Sequence, residues 1–328
     1  MRLWRIAGCG DEAELRLDDS DSEEPVPGTV RVRVAAVGVN RADILQLRGL
    51  YPAPAGAPPD VPGLEYSGVV DACGDGVTRW QAGDRVMGLV PGGAYSESLV
   101  VPANECLPVP DGLDLEAAAA IPEPFLTAWR ALSWELAVGA GECVAVRPGT
   151  AAVGQAAAQL ARWMGAEVVA TSREPDRLAR VEPEPDWKPL TEGDHAERKR
   201  VFGNREGADA LVDMLGGGGA LDFGLRLLRP GGRYVGLGLM SGASEEVNVG
   251  GLLARGLSLR FMTMRGMPAY QRARLTAEVE LRLLPALAGG RLVPARRTVF
   301  GFNQAPQALA HLRTGGEPGR VLLRMGSG

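Results

Sequence analysis

Apolar and polar positions change rhythm about a third of the way along the chain. Up to Val101 the apolar residues come in short runs. Val30–Val37 alternates Val with Arg or Ala, the two-residue period of a half-exposed strand. More short strands are predicted at Tyr66–Asp71, Arg85–Val90 and Ser96–Val101, separated by turns at Gly74-Asp75-Gly76 and Pro91-Gly92-Gly93. This spacing predicts a small β-barrel or sandwich. The proline-rich stretch Pro52–Pro62 predicts an irregular surface loop.

From Glu116 the pattern lengthens. Glu116–Ala120 is helix-forming, Ile121-Pro122-Glu123-Pro124 predicts an interruption, and Phe125–Leu136 resumes the helix. Helices and strands then alternate, which predicts a doubly wound parallel sheet with right-handed crossovers. Buried strands are predicted at Cys143–Val146, Glu167–Thr171, Ala210–Met214 and Arg233–Leu237, with another supplied by Leu252–Met264. Helices are predicted at Gly154–Met164 and Ala269–Leu287. Arg180–Arg205 carries Pro183, Pro185 and Pro189 among many charges and predicts a partly irregular excursion. Val299–Phe302 and Arg320–Leu323 return to strand and are expected to rejoin the first domain. The expected division is 1–121 with 266–328 in a β-rich domain and 122–265 in an α/β domain.

The stretch from Cys143 to Arg177 is where this pattern suggests chemistry. A strand, a turn broken by Pro148-Gly149 and an Ala-rich helix present free N–H groups and a partial positive charge to an anion. The dinucleotide fingerprint places three glycines there. Here Gly149 and Gly154 keep the outer two, while Ala151, beside Ala152, stands at the middle position. The other reading is an ordinary βαβ unit. About 20 residues on, where an acid would bind a ribose hydroxyl, the chain has Thr171-Ser172-Arg173 and then Arg177. A hydroxyl and two guanidinium groups suit a 2′-phosphate, and so point to NADPH. Glu174 argues weakly the other way, and the two arginines also read as solvated surface charges.

Composition removes several function classes. The 328 residues suffice for two domains, and a net charge of −5 does not indicate a nucleic-acid or anionic-membrane partner. No apolar run approaches a membrane span, and the opening residues lack the apolar core of a signal peptide, so a cytoplasmic protein is expected. Cys9, Cys73, Cys106 and Cys143 are scattered. The only histidines, His195 and His311, have no ligand-spaced neighbour, so no metal site is expected. His195 lies in a charged stretch and reads as solvated.

Ordered motifs then run through nearly the whole chain. They are Val39-Asn40-Arg41-Ala42-Asp43, Arg48-Gly49-Leu50-Tyr51-Pro52, Pro62-Gly63-Leu64-Glu65-Tyr66-Ser67-Gly68 and Trp80-Gln81-Ala82-Gly83-Asp84-Arg85-Val86. Ala119-Ala120-Ile121-Pro122, Leu126-Thr127-Ala128-Trp129, Leu228-Arg229-Pro230-Gly231-Gly232-Arg233 and Gly319-Arg320-Val321 follow. In these motifs the chain resembles the zinc-free quinone oxidoreductase branch of the medium-chain dehydrogenase/reductase superfamily. The resemblance implies a GroES-like β-barrel domain joined to a Rossmann domain, with NADPH in the cleft between them. It also implies a homodimer built by sheet edges, for which Leu257–Met264 is an apolar candidate. Zinc alcohol dehydrogenases of the superfamily use a Cys and a His where this chain has Asn40 and Leu64.

By motif match, Asn40 and Tyr51 should line the nicotinamide end, with Tyr51 holding a substrate oxygen or the nicotinamide amide. Thr127 should lie near the nicotinamide ribose or phosphate. Gly149, Ala151, Ala152, Val153 and Gly154 should form the phosphate turn, Ser172, Arg173 and Arg177 the 2′-phosphate site, and Gly238 and Met240 further cofactor contacts. The family usually has Ser or Gly at 151 and Gly at 152, and an added Cβ is expected to crowd the pyrophosphate. Trp187-Lys188 stands where the family has a Tyr-Lys-like pair; Trp187 either packs over adenine or covers apolar surface. Without a metal, the expected acceptor is already electrophilic, a quinone or an α,β-unsaturated carbonyl. NADPH-dependent quinone reduction is the leading expectation. Reduction of an enal, enone or enoyl thioester is the second. A cofactor-binding protein without turnover is the third.

Overall fold

The computed structural model describes residues 1–8, 10–182 and 185–326. Cys9, Pro183 and the side chain of His195 lie outside what is described. The chain divides into two compact units. The first holds Met1–Leu126, Met264–Gly316 and Arg320–Gly328, and the second holds Thr127–Thr263 with Glu317–Gly319.

In the first unit, β1 (Arg2–Ala7) and β2 (Glu14–Asp19) form a hairpin. Then come β3 (Thr29–Val39), α1 (Arg41–Leu47), β4 (Glu65–Cys73), β5 (Arg85–Leu89), β6 (Ser98–Pro102) and β7 (Cys106–Pro108). Helix α2 (Leu115–Ala119) precedes α3 (Pro122–Trp129), on which Leu126 closes the first unit and Thr127 opens the second. The expected interruption at Pro122 is instead a helix start. Proline at the first helical turn lacks only an N–H that would be unpaired there, and its φ already suits the helix. Beyond Trp129 the helix widens into a π turn, Arg130–Glu135.

The second unit contains β8 (Cys143–Arg147), α4 (Ala152–Trp163), β9 (Glu167–Ser172), α5 (Pro175–Leu178) and β10 (Lys188–Thr191). It continues with α6 (His195–Phe202), β11 (Ala208–Asp213), α7 (Ala220–Leu227), β12 (Leu228–Gly236), α8 (Val249–Arg255) and β13 (Ser258–Phe261). The strands are all parallel, in the order β10-β9-β8-β11-β12-β13. The first strand in sequence lies inside the sheet, and the chain winds outward from it in both directions. That is the doubly wound dinucleotide-binding order, with its switch point between β8 and β11. Leu211 and Tyr234 in the sheet pack with Leu225 and Leu227 of α7, all buried.

One expectation is corrected here. Leu252–Met264 is not one strand: Leu252–Arg255 closes α8 and only Ser258–Phe261 is extended. The signal that separates them lies in the flanks. Asn248 Oδ1 caps the helix start by accepting from Gly251 N (3.0 Å), and Gly256 ends it at φ 60°. An apolar run alone does not separate a strand from a buried helix. Within Arg180–Arg205, residues 188–202 are regular, as β10 and α6. Pro189 is tolerated because β10 is the edge strand, where a missing N–H costs no ladder bond.

The chain returns to the first unit through α9 (Ala269–Arg282), α10 (Leu284–Ala288), β14 (Arg297–Gly301), α11 (Ala305–Thr314) and β15 (Arg320–Arg324). Strand β15 pairs antiparallel with β3, so the tail does rejoin the first unit. The sheet there runs β14-β15-β3-β4-β5-β7, with β6 also on β3. Val32, Val34, Val37, Tyr66 and Val86 fill its interior. Among the described residues no helix is long and apolar enough to cross a membrane.

Candidate functional site

Parallel strands bring their carboxyl ends to one end of the second unit. The turns after β8, β9, β11 and β12 therefore gather there, which collects most of the expected cofactor residues. The Gly149 amide donates to the Thr171 carbonyl (2.8 Å), tying the first turn to the end of β9. A Cβ on Gly149 would stand 2.7 Å from Ala170 Cβ and 2.9 Å from Leu178. A Cβ on Gly154 would collide with the Pro148 carbonyl oxygen. These two glycines are required by close packing of turn, helix and sheet.

Positions 151 and 152 are different. Ala151 is the N-cap of α4 at φ −70° and ψ 150°, which any residue adopts, and neither alanine has a positive φ. Ala151, Ala152 and Val153 are all half-exposed. Helix α4 is twelve residues long and has no acid in its first turn, so its first N–H groups face an anion without competition. The Thr171 hydroxyl, at the end of β9, is buried without a hydrogen-bond partner. This orphaned polar atom, together with the uncontested turn, fits a bound pyrophosphate and its sugar.

Ser172 Oγ is committed to its own turn: it donates to the Glu174 carbonyl (2.8 Å) and accepts from Glu174 N (3.1 Å). Arg173 is exposed and makes no ion pair among the described residues. Arg177 follows one turn later on α5. Trp187 lies 3.4 Å from where a Gly149 Cβ would be, so it covers the outer face of that turn. Gly238 and Met240 follow β12; Met240 N donates to the Met214 carbonyl (3.2 Å), and a Gly238 Cβ would meet that same oxygen at 2.8 Å. Thr127 is buried on α3.

At this end of the sheet lies a buried ion cluster that sequence reasoning missed. Arg147, the last residue of β8, is fully buried. Its Nη1 donates to Asp213 Oδ2 (2.9 Å), its Nε to Glu192 Oε2 (3.1 Å) and its Nη2 to the Ala220 carbonyl (2.9 Å). Desolvation raises the Asp213 pKa, and the Arg147 charge pulls it back. The available signal was a charged residue closing an otherwise apolar strand run.

Asn40 and Tyr51 belong to the first unit. Asn40 is buried, and both ends of its amide are taken: Nδ2 donates to Glu65 Oε1 (2.9 Å) and Oδ1 accepts from Arg320 Nη1 (3.0 Å). Arg320 also pairs directly with Glu65, whose other oxygen accepts from Glu123 N (2.9 Å). Burial lowers the Arg320 pKa to about 10, so it stays charged at neutral pH. A Cβ on Gly38 would collide with both Glu65 and Arg320, so the cluster needs glycine there. Asp43 is also buried; it accepts from Asn40 N (2.7 Å), Gly63 N (3.2 Å) and Tyr95 Oη (3.1 Å), and desolvation raises its pKa to about 6.

Tyr51 is half-buried under another arginine that the sequence did not single out. The Arg265 guanidinium carbon lies 5.1 Å from the Tyr51 ring centre. Arg265 and Leu64 share the wall of an otherwise mostly apolar cavity with Val90, Leu126 and Met264. Among the described residues no three His, Cys, Asp or Glu side chains gather as metal ligands do.

Comparison with known proteins gives this geometry a family. Residues 26–111 match the alcohol dehydrogenase GroES-like domain, and residues 152–280 match the zinc-binding dehydrogenase domain. The chain is 36% identical over 243 residues to the phthioceranic/hydroxyphthioceranic acid synthase of Mycobacterium tuberculosis, covering 73% of this chain and 11% of the synthase. It is 32% identical over 339 residues to the pikromycin polyketide synthase component PikAII of Streptomyces venezuelae, covering 99% of this chain and 9% of that protein. The chain thus spans about a tenth of the length of these curated relatives. Among solved structures, a quinone oxidoreductase of Pseudomonas syringae pv. Tomato superposes with a TM-score of 0.85 at 29% identity, over 98% of this chain and 99% of that one. The Escherichia coli quinone oxidoreductase complexed with NADPH gives 0.86 at 25%, over the same shares. The CurK enoyl reductase, at 24% identity and 0.85 over 99% of both chains, shares the fold. The two matched domains, in this order and on this topology, make the chain a nicotinamide-dependent oxidoreductase of the medium-chain dehydrogenase/reductase superfamily.

Proposed function

We propose that this chain reduces a conjugated carbonyl compound, as an enoyl-type reductase, with NADPH as hydride donor and no metal. One observation carries the reading. The two positions that zinc alcohol dehydrogenases fill with metal ligands hold Leu64, an apolar wall residue, and Asn40, whose amide is committed to Glu65 and Arg320. With no Lewis acid to polarise it, the acceptor must bring its own electrophilicity. When bound, NADPH supplies a hydride from its nicotinamide. The chain's residues bind and orient it. The N–H groups at the start of α4 receive the pyrophosphate, and Arg173 and Arg177 receive the 2′-phosphate.

The polyketide synthase relatives, at 32–36% identity, favour an enoyl thioester as acceptor. A quinone, the leading expectation from sequence, is the second reading, and the two quinone oxidoreductase structures favour it. The experiment follows NADPH oxidation with a crotonyl thioester and, separately, with a small quinone, with NADH run alongside. Turnover with the thioester is expected. Turnover with the quinone alone would move the protein to the second reading. Silence with both, combined with tight NADPH binding, would leave a cofactor-binding protein without these activities. Arg173→Ala is expected to weaken NADPH far more than NADH, and equal losses would remove Arg173 from the 2′-phosphate site.

The same reading makes the protein a homodimer through β13. Among the described residues that strand pairs only with β12, and Phe261 on it and Leu253 before it are 64% and 82% exposed. A monomeric mass by light scattering at micromolar concentration would exclude it.

A further inference from the structure

The second unit has a basic cavity at the end of its sheet away from the cofactor turns. Those turns follow the carboxyl ends of the strands. At the amino ends of β11 and β12 lies an open cavity of about 600 Å³, lined by Arg198, Glu206, Arg226, Leu228, Pro230 and Arg255. That volume is within the range of small-molecule sites. Three helices supply the arginines: Arg198 stands on α6, Arg226 on α7, and Arg255 is the last residue of α8. Glu206 is the one carboxylate in the wall, and it is exposed.

Part of this positive charge serves the fold. Helix C-termini carry partial negative charge and attract cations. Arg255 donates from Nη1 to the Leu225 carbonyl (3.1 Å) and from Nη2 to the Leu228 carbonyl, at the end of α7. Arg198 donates from Nη2 to the Glu206 carbonyl (2.8 Å), and its guanidinium carbon lies 5.9 Å from the Phe202 ring centre. Arg226 pairs with Asp222, one turn earlier on α7, at 2.8 Å, and both side chains are mostly exposed. An exposed pair of this kind contributes little and opens easily. The rest of the charge is left over. Among the described residues neither Arg198 nor Arg255 makes an ion pair; their printed bonds go to backbone carbonyls. Arg198 Nε is buried without a partner. Burial lowers the Arg198 pKa and the nearby Arg255 charge lowers it further, so the two guanidinium groups repel each other. With Arg226 set against Asp222, these two cations face Glu206 alone.

We propose that this cavity binds a small phosphate-bearing molecule, held by Arg198, Arg226 and Arg255. A guanidinium presents paired N–H groups that match two oxygens of a phosphate, and it stays charged at neutral pH. A bound dianion relieves the repulsion between Arg198 and Arg255 and gives their spare terminal N–H groups an acceptor. The three arginines come from three helices, so the fold, not local sequence, brings them together. One phosphate fills only part of a cavity this wide, which favours a diphosphate or a phosphate ester over the free ion. Glu206 works against the anion and limits how tightly it is held. The inference is independent of the reductase reading, because every residue in it lies at the other end of the sheet from the phosphate turn.

The test uses the full chain and inorganic pyrophosphate, with sodium chloride at equal ionic strength as control. Phenylglyoxal modifies accessible guanidinium groups, and peptide mass spectrometry reads the modification residue by residue. Pyrophosphate is expected to slow modification of Arg226 and Arg255 several-fold, and chloride is not. The pyrophosphate concentration that protects Arg255 measures the affinity of this cavity alone. By that measure Arg226→Gln should bind roughly tenfold more weakly, as expected for the loss of one charged hydrogen-bond donor, and should melt like the wild type. Glu206→Gln should bind more tightly. Inorganic phosphate should protect only at higher concentration than pyrophosphate; equal potency would keep the site and assign it to a single phosphate. Protection confined to Arg173 and Arg177 would place the anion on the phosphate turn and overturn the proposal. Equal protection by chloride would overturn it too, as would a folded Arg226→Gln protein with wild-type affinity. Because Arg226 is exposed, that variant is expected to fold, and the protection pattern of the wild type needs no variant at all.

Discussion

Each unit of the protein buries an arginine at its heart, and the two are closed differently. Arg147 in the α/β unit faces two carboxylates, a carbonyl and the ring of Phe223 at 5.4 Å. It joins the ends of β8 and β11 to Glu192 just beyond β10 and to the start of α7, at the same end of the sheet as the phosphate turn. Arg320 in the β-rich unit faces one carboxylate and one amide, and its Nε has no partner. The first cluster lies beside the candidate phosphate turn and takes none of that turn's residues as partners. The second draws a candidate site residue, Asn40, into the framework. Family likeness treats Asn40 as a ligand contact; in the free chain its amide is held by Glu65 and Arg320.

The largest expected effect tests how closed the Arg147 cluster is. Arg147→Met leaves the buried Asp213 and the partly exposed Glu192 without their cation. Breaking a buried pair on one side typically costs about 3–5 kcal/mol. Urea unfolding should show a loss of this size, with the parallel sheet the part weakened. A loss below about 1 kcal/mol would mean that water reaches the two carboxylates, and the contrast with Arg320 would fail.

The next effect sharpens the comparison on the β-rich side. Asp43 titrates near 6 in the folded chain, raised by desolvation from an ordinary value of 3.8. Between those pH values the unfolded chain has lost this proton and the folded chain still holds it. The Asp43 contribution to stability is therefore present at low pH, falls as pH rises through this window and is level above about 6. A shift of this size corresponds to roughly 3 kcal/mol. Relative to Asp43→Asn, the wild type should lose about that much stability between pH 4 and pH 7. A pH-independent difference between the two proteins would show that Asp43 stays ionised throughout.

Much of this architecture is legible in the sequence, because strands buried on both faces read as continuous apolar runs. Cys143–Val146 and Ala210–Met214 are of that kind, and each strand lies within two residues of its expected place. Leu252–Met264 misled because a helix and a strand share one apolar run, and only Asn248 and Gly256 mark the helix ends. The turn between β8 and α4 was legible through Gly149 and Gly154, which close packing demands. The concern over Ala151 and Ala152 was about ligand approach, and their backbone is unstrained. Arg147, Arg265 and Arg320 were not legible as functional or structural centres. An arginine in sequence looks the same whether it is solvated or closed in by partners more than 200 residues away, as Arg320 is with Glu65.

The smallest effect is expected at Thr171, and it separates ligand site from framework most cleanly. The hydroxyl is buried at the end of β9 and has no partner, beside the turn that Gly149 ties to the same residue's carbonyl. An unmet buried hydroxyl is a cost in the free protein, and Thr171→Val keeps the branched shape that suits a strand. The variant should therefore melt at the same temperature or slightly higher, with a gain of at most about 1 kcal/mol. If the hydroxyl is kept for the dinucleotide, the same substitution should weaken NADPH by a few-fold, since one hydrogen bond is worth about 1 kcal/mol. Opposite signs in melting and in titration would assign Thr171 to the cofactor site. A lower melting temperature with unchanged NADPH affinity would return it to the framework and leave the phosphate turn and Arg173 as the site's anchors.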